Sequence, residues 1–234
     1  MNPVIENLYR DGVPDTAAVD AFISANSFPL VEPGSVTFVY RGYAEEVLLR
    51  RWISGLSTAQ PLQNLEGSDL WALTMELPEL SRFEYKFELL RDGARHLVVD
   101  PLNGVLAHDP FGANSVCQGY GYKRPAWTLH DGEARSGELT KFQLQSQAFE
   151  ESRSVHVYLP ARFRRNRTYP LLVLHDGIDY LRYADLKIVL DNLIHRLEIP
   201  AMIVALTQPQ ERIREYTCDL RHARFVSEEL LSAM

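Results

Sequence analysis

Cysteine is nearly absent from this chain: Cys117 and Cys218 are the only two in 234 residues, with no C-x-x-C or Cys/His ligand spacing. Two such distant thiols fit unpaired cysteines in a reducing compartment better than a disulfide framework. No spacing of His, Asp and Glu suggests a metal site. Long apolar runs are missing too, and none approaches the ~18 residues that a membrane span needs. The N-terminus, MNPVIENLYRDGVPD, has charges and prolines where a signal peptide needs an apolar core. The chain therefore reads as cytoplasmic, with no membrane partner. Positive charge is in short supply: 24 Lys and Arg stand against 31 Asp and Glu, a formal net charge of −7. Phosphate neutralisation needs a basic surface, which argues against nucleic acid as a partner. The cluster Arg162, Arg164, Arg165 and Arg167 is local and reads as a solvated loop before a strand.

What is present is the composition of a folded globular protein, 46% apolar and 24% charged. The length allows two modest domains or one large one. Asp15 to Ser24 reads as a short helix. From Val36 the texture is that of strands: Val36–Arg41, Glu46–Trp52, Asp69–Leu77, Phe83–Arg91 and Arg95–Asp100. In FEYKFELL, Phe83, Tyr85, Phe87 and Leu89 fall on one face, opposite Glu84, Lys86 and Glu88. That period of two predicts a half-buried antiparallel strand. Glu66-Gly67-Ser68 signals a turn, and Arg91-Asp92-Gly93 joins two strands as a hairpin. Short strands at this spacing imply a β-sandwich. Pro101 to Gly137 lacks periodicity and reads as ordered but irregular, with residues 118–137 as linker and Trp127 pinning it to a domain surface.

The pattern then changes. Leu139–Gln147 and Arg153–Pro160 alternate as an antiparallel pair. LLVLHD, within Tyr169–Tyr180, reads as a strand buried on both faces and ending in a tight polar turn. Tyr183 to Leu197 reads as a helix, with Leu186, Val189, Leu190, Leu193, Ile194 and Leu197 on one face. Ala201–Thr207 is a second buried strand. Asp219 to Leu231 is a second helix with Asp219 as N-cap. Strand, helix, strand, helix predicts a parallel sheet with right-handed crossovers. The fold class is thus α/β plus all-β.

Two antiparallel strands followed by βαβα, with a His-Asp-Gly turn, resemble the α/β-hydrolase fold. The phrasing is similar to the esterase family that includes the enterochelin (ferric enterobactin) esterases and esterase D-like enzymes. The matching residues are Arg153–Pro160, Tyr169–Gly177, Leu190–Ile194, Arg212-x-x-Glu215-Tyr216 and Phe225–Leu231. The first half resembles the early-set, Ig-like domain of the same enzymes through Val36–Gly42, Leu65–Thr74, Phe83–Gly93 and Asp100–Gly104. The resemblance implies a helical segment over 1–30, an Ig-like sandwich over 31–117, and the N-terminal half of an α/β-hydrolase sheet over 138–234. It also implies a serine carboxylic-ester hydrolase without metal or organic cofactor, acting on a siderophore (a ferric siderophore among them) or another acyl ester. In this fold the order is Ser, acid, His, with Ser on a G-x-S-x-G elbow. No such sequence occurs in residues 1–234. The expectation is a chain truncated before its nucleophile, inactive as given.

The same resemblance makes Asp176, Gly177 and Ile178 the oxyanion-side turn, with a backbone N–H aimed at developing negative charge. An ordinary turn in which Asp176 caps the backbone is the other reading. His175, Arg212, Glu215 and Tyr216 form a rim that contacts substrate, or, for Arg212 and Glu215, an ion pair that fixes the loop. His156 and His195 read as residues of polar faces. Trp52 and Trp71 lie in strands of the first domain; Trp71 reads as core. A glycan-binding module through that domain is the alternative function. The LLVLHD strand is expected to leave an apolar edge through which the chain self-associates.

Overall fold

A computed structural model of the chain describes residues 2–51 and 59–234. It divides into two compact units, Met1–Lys123 and Arg124–Met234.

In the first unit the period-two segment becomes its longest strand. The elements run α1 (Pro3–Leu8), α2 (Thr16–Ala25), β1 (Leu30–Glu32), β2 (Ser35–Arg41), β3 (Glu46–Arg51), β4 (Ala59–Pro61), β5 (Gln63–Asn64), β6 (Leu70–Glu76), β7 (Arg82–Arg91), β8 (Ala94–Val98), β9 (Leu106–Asp109) and β10 (Gly112–Gln118). One antiparallel sheet has the order β1-β2-β6-β5, the other β4-β3-β7-β10-β9. Strand β7 pairs with β3 along one edge, and with β10 and then β8 along the other. Its inward residues Phe83, Tyr85, Phe87 and Leu89 are buried and pack with Val36, Phe38 and Tyr40 of the facing sheet. Each such side chain stabilises the fold by about 1.5–3 kcal/mol through removal from water. The Asp92-Gly93 turn has φ of 50° and 73°, the positive pair that a tight hairpin needs. A second cluster sets Val19 and Phe22 of α2 against Val39 and Leu70 on the other face of the first sheet.

Within Pro101–Gly137, expected to be irregular, lie β9 and β10, and β10 buries Val116 and Cys117. Their small and polar residues give no alternation; a buried network holds them instead. Asp100 accepts hydrogen bonds from Tyr85 (2.6 Å) and the Leu102 amide (2.8 Å), while Ser115 accepts from the Asp100 amide (2.8 Å). Asn103 donates to the Val116 carbonyl (2.9 Å). Trp71 is half-buried against the core and donates to the Gly42 carbonyl, as the core reading expected. Trp52 lies outside the described residues.

The second unit comprises β11 (Glu138–Ser146), β12 (Glu151–Leu159), β13 (Leu171–Leu174), α3 (Gly177–Tyr183), α4 (Leu186–His195), β14 (Ile203–Thr207), α5 (Arg212–Tyr216), α6 (Leu220–Arg224), a π-helical segment (Phe225–Leu230) and α7 (Leu231–Ala233). The sheet order is β11-β12-β14-β13, with only β13 and β14 parallel. Alternate residues face opposite ways. Val155, Val157 and Ala205 meet Phe225 and Leu230 on one side; Tyr158, Val204 and Leu206 meet Leu190 on the other.

The predicted helix Tyr183–Leu197 is present as α4, shortened to Leu186–His195, and α3, Gly177–Tyr183, precedes it without having been predicted. Asp185, in the left-handed region at φ 49°, separates α3 from α4. Strand β13 is not fully buried: it lies at the sheet edge, and Leu172 is 40% exposed. Asp219 does cap α6, accepting from the Arg221 amide at 2.8 Å. The Trp127 backbone carbonyl ties its segment to α4, accepting from Asn192 at 2.9 Å. Asp191 on α4 holds the same segment by accepting from the Gly137 amide (2.7 Å), Tyr158 (2.8 Å) and Lys187 (2.7 Å). Both cysteines are free, Cys117 buried and Cys218 exposed. Among the described residues no helix is long and apolar enough to cross a membrane.

Candidate functional site

Parallel β13 and β14 end at the same edge of their sheet, where ligands gather in open α/β folds. His175, Asp176 and Gly177 leave β13 there; Thr207 closes β14. The turn is tight because Gly177 sits on β14. A Cβ at that position would lie 2.3 Å from the Leu206 Cβ and 2.7 Å from its Cα. The close approach that glycine permits is therefore to the neighbouring strand. Asp176 takes the left-handed conformation, φ 53°, which Asp tolerates better than most residues.

The Asp176 side chain does not cap the following helix, contrary to one expectation. Its carboxylate accepts instead from Arg212 Nε (3.0 Å) and the Tyr216 hydroxyl (3.2 Å), both carried by α5. The same hydroxyl accepts from the Asp176 amide at 3.2 Å. Burial first, and the Asp176 carboxylate with it, push the Tyr216 hydroxyl up to about 12, which keeps it a donor. The Ile178 amide donates to Gln208 Oε1 at 3.2 Å. Two amides of the turn are thus held by polar side chains, Tyr216 and Gln208.

Arg212 and Glu215 do not pair with each other, which corrects the reading of them as one ion pair. Arg212 goes to Asp176, whereas Glu215 turns inward to Arg153. Arg153 Nη1 lies 3.0 and 3.1 Å from the two Glu215 oxygens, with side-chain exposures of only 6% and 4%. The amides of Gln210 and Glu211 also donate to Glu215 Oε1, at 2.9 and 3.1 Å. Burial alone would raise the Glu215 carboxyl, but those amides and the Arg153 guanidinium outweigh it and hold it below the usual glutamate value. The Arg153 guanidinium also stacks on Phe149, 3.8 Å from the ring centre. α5 is thereby fixed at its base by a buried ion pair, and from its other side it holds the Asp176 turn.

His175 packs against Tyr216 (5.4 Å between ring centres) and His222 (4.9 Å). Its Nδ1 lies 3.4 Å from the Thr207 hydroxyl. His222 Nδ1 is 3.9 Å from Glu215. Burial, then the nearby His175, lower the His222 imidazole below its ordinary value. Neither ring is oriented by a carboxylate at hydrogen-bond distance among the described residues, so this pair does not form the base of a catalytic triad. His156 is half-buried on β12 and His195 is exposed at the end of α4, away from this cluster. Among the described residues no group of His, Cys, Asp and Glu could hold a metal ion.

All the rim residues predicted from the sequence meet here except that Glu215 faces inward. Sequence reasoning missed Arg153, Gln208 and His222. Arg153 had a signal: it shares the buried face of its strand with Val155 and Val157, and a buried Arg requires a partner. Gln208 and His222 carried none.

Residues 146–230, which include every residue of this site, match the family model described as Putative esterase. The match lies wholly within the second unit and covers about a third of the chain. Among solved structures the chain is similar to the ferric enterobactin esterase of Salmonella typhimurium: 20% identity, TM-score 0.65, 85% of this chain and 60% of that one. It is similar to the Shigella flexneri enterobactin esterase solved in the presence of enterobactin (23%, TM-score 0.65, 85% and 59%). It is also similar to the enterochelin esterase of Shigella flexneri (21%, TM-score 0.65, 92% and 64%). This chain thus spans about 60% of the length of the first solved esterases it matches. A search of curated protein sequences finds no match.

Proposed function

We propose that this chain supplies the first unit and the oxyanion-side wall of a serine carboxylic-ester hydrolase of the enterochelin esterase type, acting on a siderophore or another acyl ester. The observation that carries this reading is the turn Asp176–Ile178 at the carboxyl end of β13, buttressed by Tyr216 and Arg212 of α5. The Ile178 amide is the donor for a developing oxyanion once Gln208 turns aside; a preorganised donor of this kind is worth about 3 kcal/mol of barrier. Support comes from the esterase-family match across the whole site and from the likeness to esterases crystallised with enterobactin. The two antiparallel sheets of the first unit support an early-set, Ig-like assignment. Because residues 1–234 contain no G-x-S-x-G sequence, they are proposed to have no turnover by themselves.

The test uses two chains. One is residues 1–234. The other joins residues 1–234 to the part of the Salmonella typhimurium esterase that this chain does not cover. With p-nitrophenyl esters the first should be silent and the second active, losing about tenfold in kcat on Tyr216→Phe because the turn is less well held. Turnover by residues 1–234 alone sinks the inactivity; a folded but inert chimera sinks the esterase reading. The outer edge of β13 supports a further part of the proposal, self-association of residues 1–234. A monomer in light scattering across concentration counts against it.

A further inference from the structure

The loop between β12 and β13 departs from the electrostatics of the rest of the protein. The chain carries 31 acidic residues, yet none occurs between Glu151 and Asp176. In that span Arg162, Arg164, Arg165 and Arg167 stand exposed. Of the other arginines of the unit, Arg124, Arg153, Arg196, Arg212, Arg214 and Arg221 each have a carboxylate partner, and Arg135, Arg182 and Arg224, scattered along the chain, have none among the described residues. Among the described residues, none of the four loop arginines has one within ion-pair distance.

The loop is not a loose tether. The Phe163 amide donates to the Pro160 carbonyl (3.0 Å) and the Arg167 amide to the Arg164 carbonyl (3.1 Å), two consecutive turns. The Tyr169 hydroxyl accepts from the Arg164 amide at 3.0 Å. The Phe163 and Tyr169 rings lie 5.2 Å apart at 33°, and the Arg167 guanidinium sits 5.8 Å from the Tyr169 ring. A half-buried aromatic pair thus forms a base from which the guanidiniums project, and less ordering entropy is lost on binding. The loop enters β13 at its amino end, whereas the His175 turn leaves the carboxyl end. It is separate from the candidate ester site.

We propose that the Arg162–Arg167 loop is a docking surface for an acidic peptide segment of a partner protein. Guanidinium forks match carboxylates in bidentate geometry, which favours a row of Asp and Glu side chains. The protein's overall charge of −7 selects the occupant. A membrane or a nucleic acid would bring extended negative charge against the acidic remainder of the surface. A short acidic segment stays within the roughly 8 Å over which the loop's own field acts at physiological salt.

The experiment titrates the 234-residue chain into a fluorescein-labelled peptide of Glu and Asp, followed by polarisation. Its Gln/Asn counterpart, phosphatidylserine vesicles and a single-stranded oligonucleotide serve as parallel probes. The expected result is binding of the acidic peptide alone, weakened by added salt and reduced about tenfold by the pair Arg164→Ser and Arg165→Ser. Arg135→Ser, which removes an exposed arginine elsewhere in the unit, should leave it unchanged. Unaltered melting temperature of the double variant shows that the loss is local. No binding at low salt overturns the proposal, as do equal binding by the double variant and preference for vesicles or the oligonucleotide.

Discussion

The two units solve the same problem, covering a sheet, with different materials. The first closes its core with an aromatic row, Phe38, Tyr85 and Phe87 stacked edge to face at 4.8 and 5.7 Å. The second has smaller cores built around Val155, Val157, Ala205, Phe225 and Leu230 on one face, and it buries a full ion pair, Arg153 with Glu215. Apolar burial is tolerant of detail, because it depends on area and fit. A buried ion pair is directional, and it fixes α5 at one height and angle against β12. Directional contacts occur in both units, Tyr85 with Asp100 in the first and the Arg153–Glu215 ion pair in the second.

The largest effects should separate the two strategies. Phe87→Ala empties a fully buried ring site and should cost about 4 kcal/mol, confined to the first unit in hydrogen exchange read by mass spectrometry. Arg153→Ala strands the Glu215 carboxylate and should cost about 3 kcal/mol in the second unit. The double change Arg153→Met with Glu215→Leu should restore most of that loss, since the pair's net contribution is small once both charges leave. Equal losses in the single and double variants would show that stability, not placement, is what the pair provides. Gly177→Ala forces the turn off Leu206 and should cost about 2 kcal/mol, with exchange speeding at residues 175–178.

The smallest effect is the most discriminating, because acid should move the units in opposite directions. Burial lifts the Asp100 carboxyl from 3.8 to about 6, so the folded first unit binds a proton that the unfolded chain releases. Between pH 7 and 5.5 that unit should gain about 1 kcal/mol, a gain missing in Asp100→Asn. His222 is shifted the other way: its lowered value means that the unfolded chain binds the proton first. The second unit should therefore lose stability as pH falls through 6.5, and His222→Gln should remove that loss. Urea titrations at both pH values check the signs.

Legibility followed the same division. The alternation in FEYKFELL predicted a strand with one buried face, and Phe83, Tyr85, Phe87 and Leu89 are all buried. The Asp92-Gly93 hairpin was legible because few residue pairs accept two positive φ angles. Strands β9 and β10 were not, since Asn114 and Ser115 occupy buried sites through hydrogen bonds that a hydropathy pattern does not register. Helix α3 was not legible either, because its seven residues directly follow the His-Asp-Gly turn and are too few for a helical period to show. In the site, the HDG turn and the Arg212-x-x-Glu215-Tyr216 phrase were visible as groups, but their partners were not.

By itself the sequence determined the alternating strand β7, the Asp92-Gly93 hairpin, the apolar strand β13 with its His-Asp-Gly turn, and the amphipathic helix α4. Those follow from periodicity and turn chemistry, which act over a few neighbouring residues. Only the tertiary structure decided that Gly177 serves β14, that Arg212 holds Asp176, and that Glu215 faces inward to Arg153, 62 residues away. The choice of partner for a charge is made by burial and distance in the folded chain, and neither quantity exists until distant segments have packed.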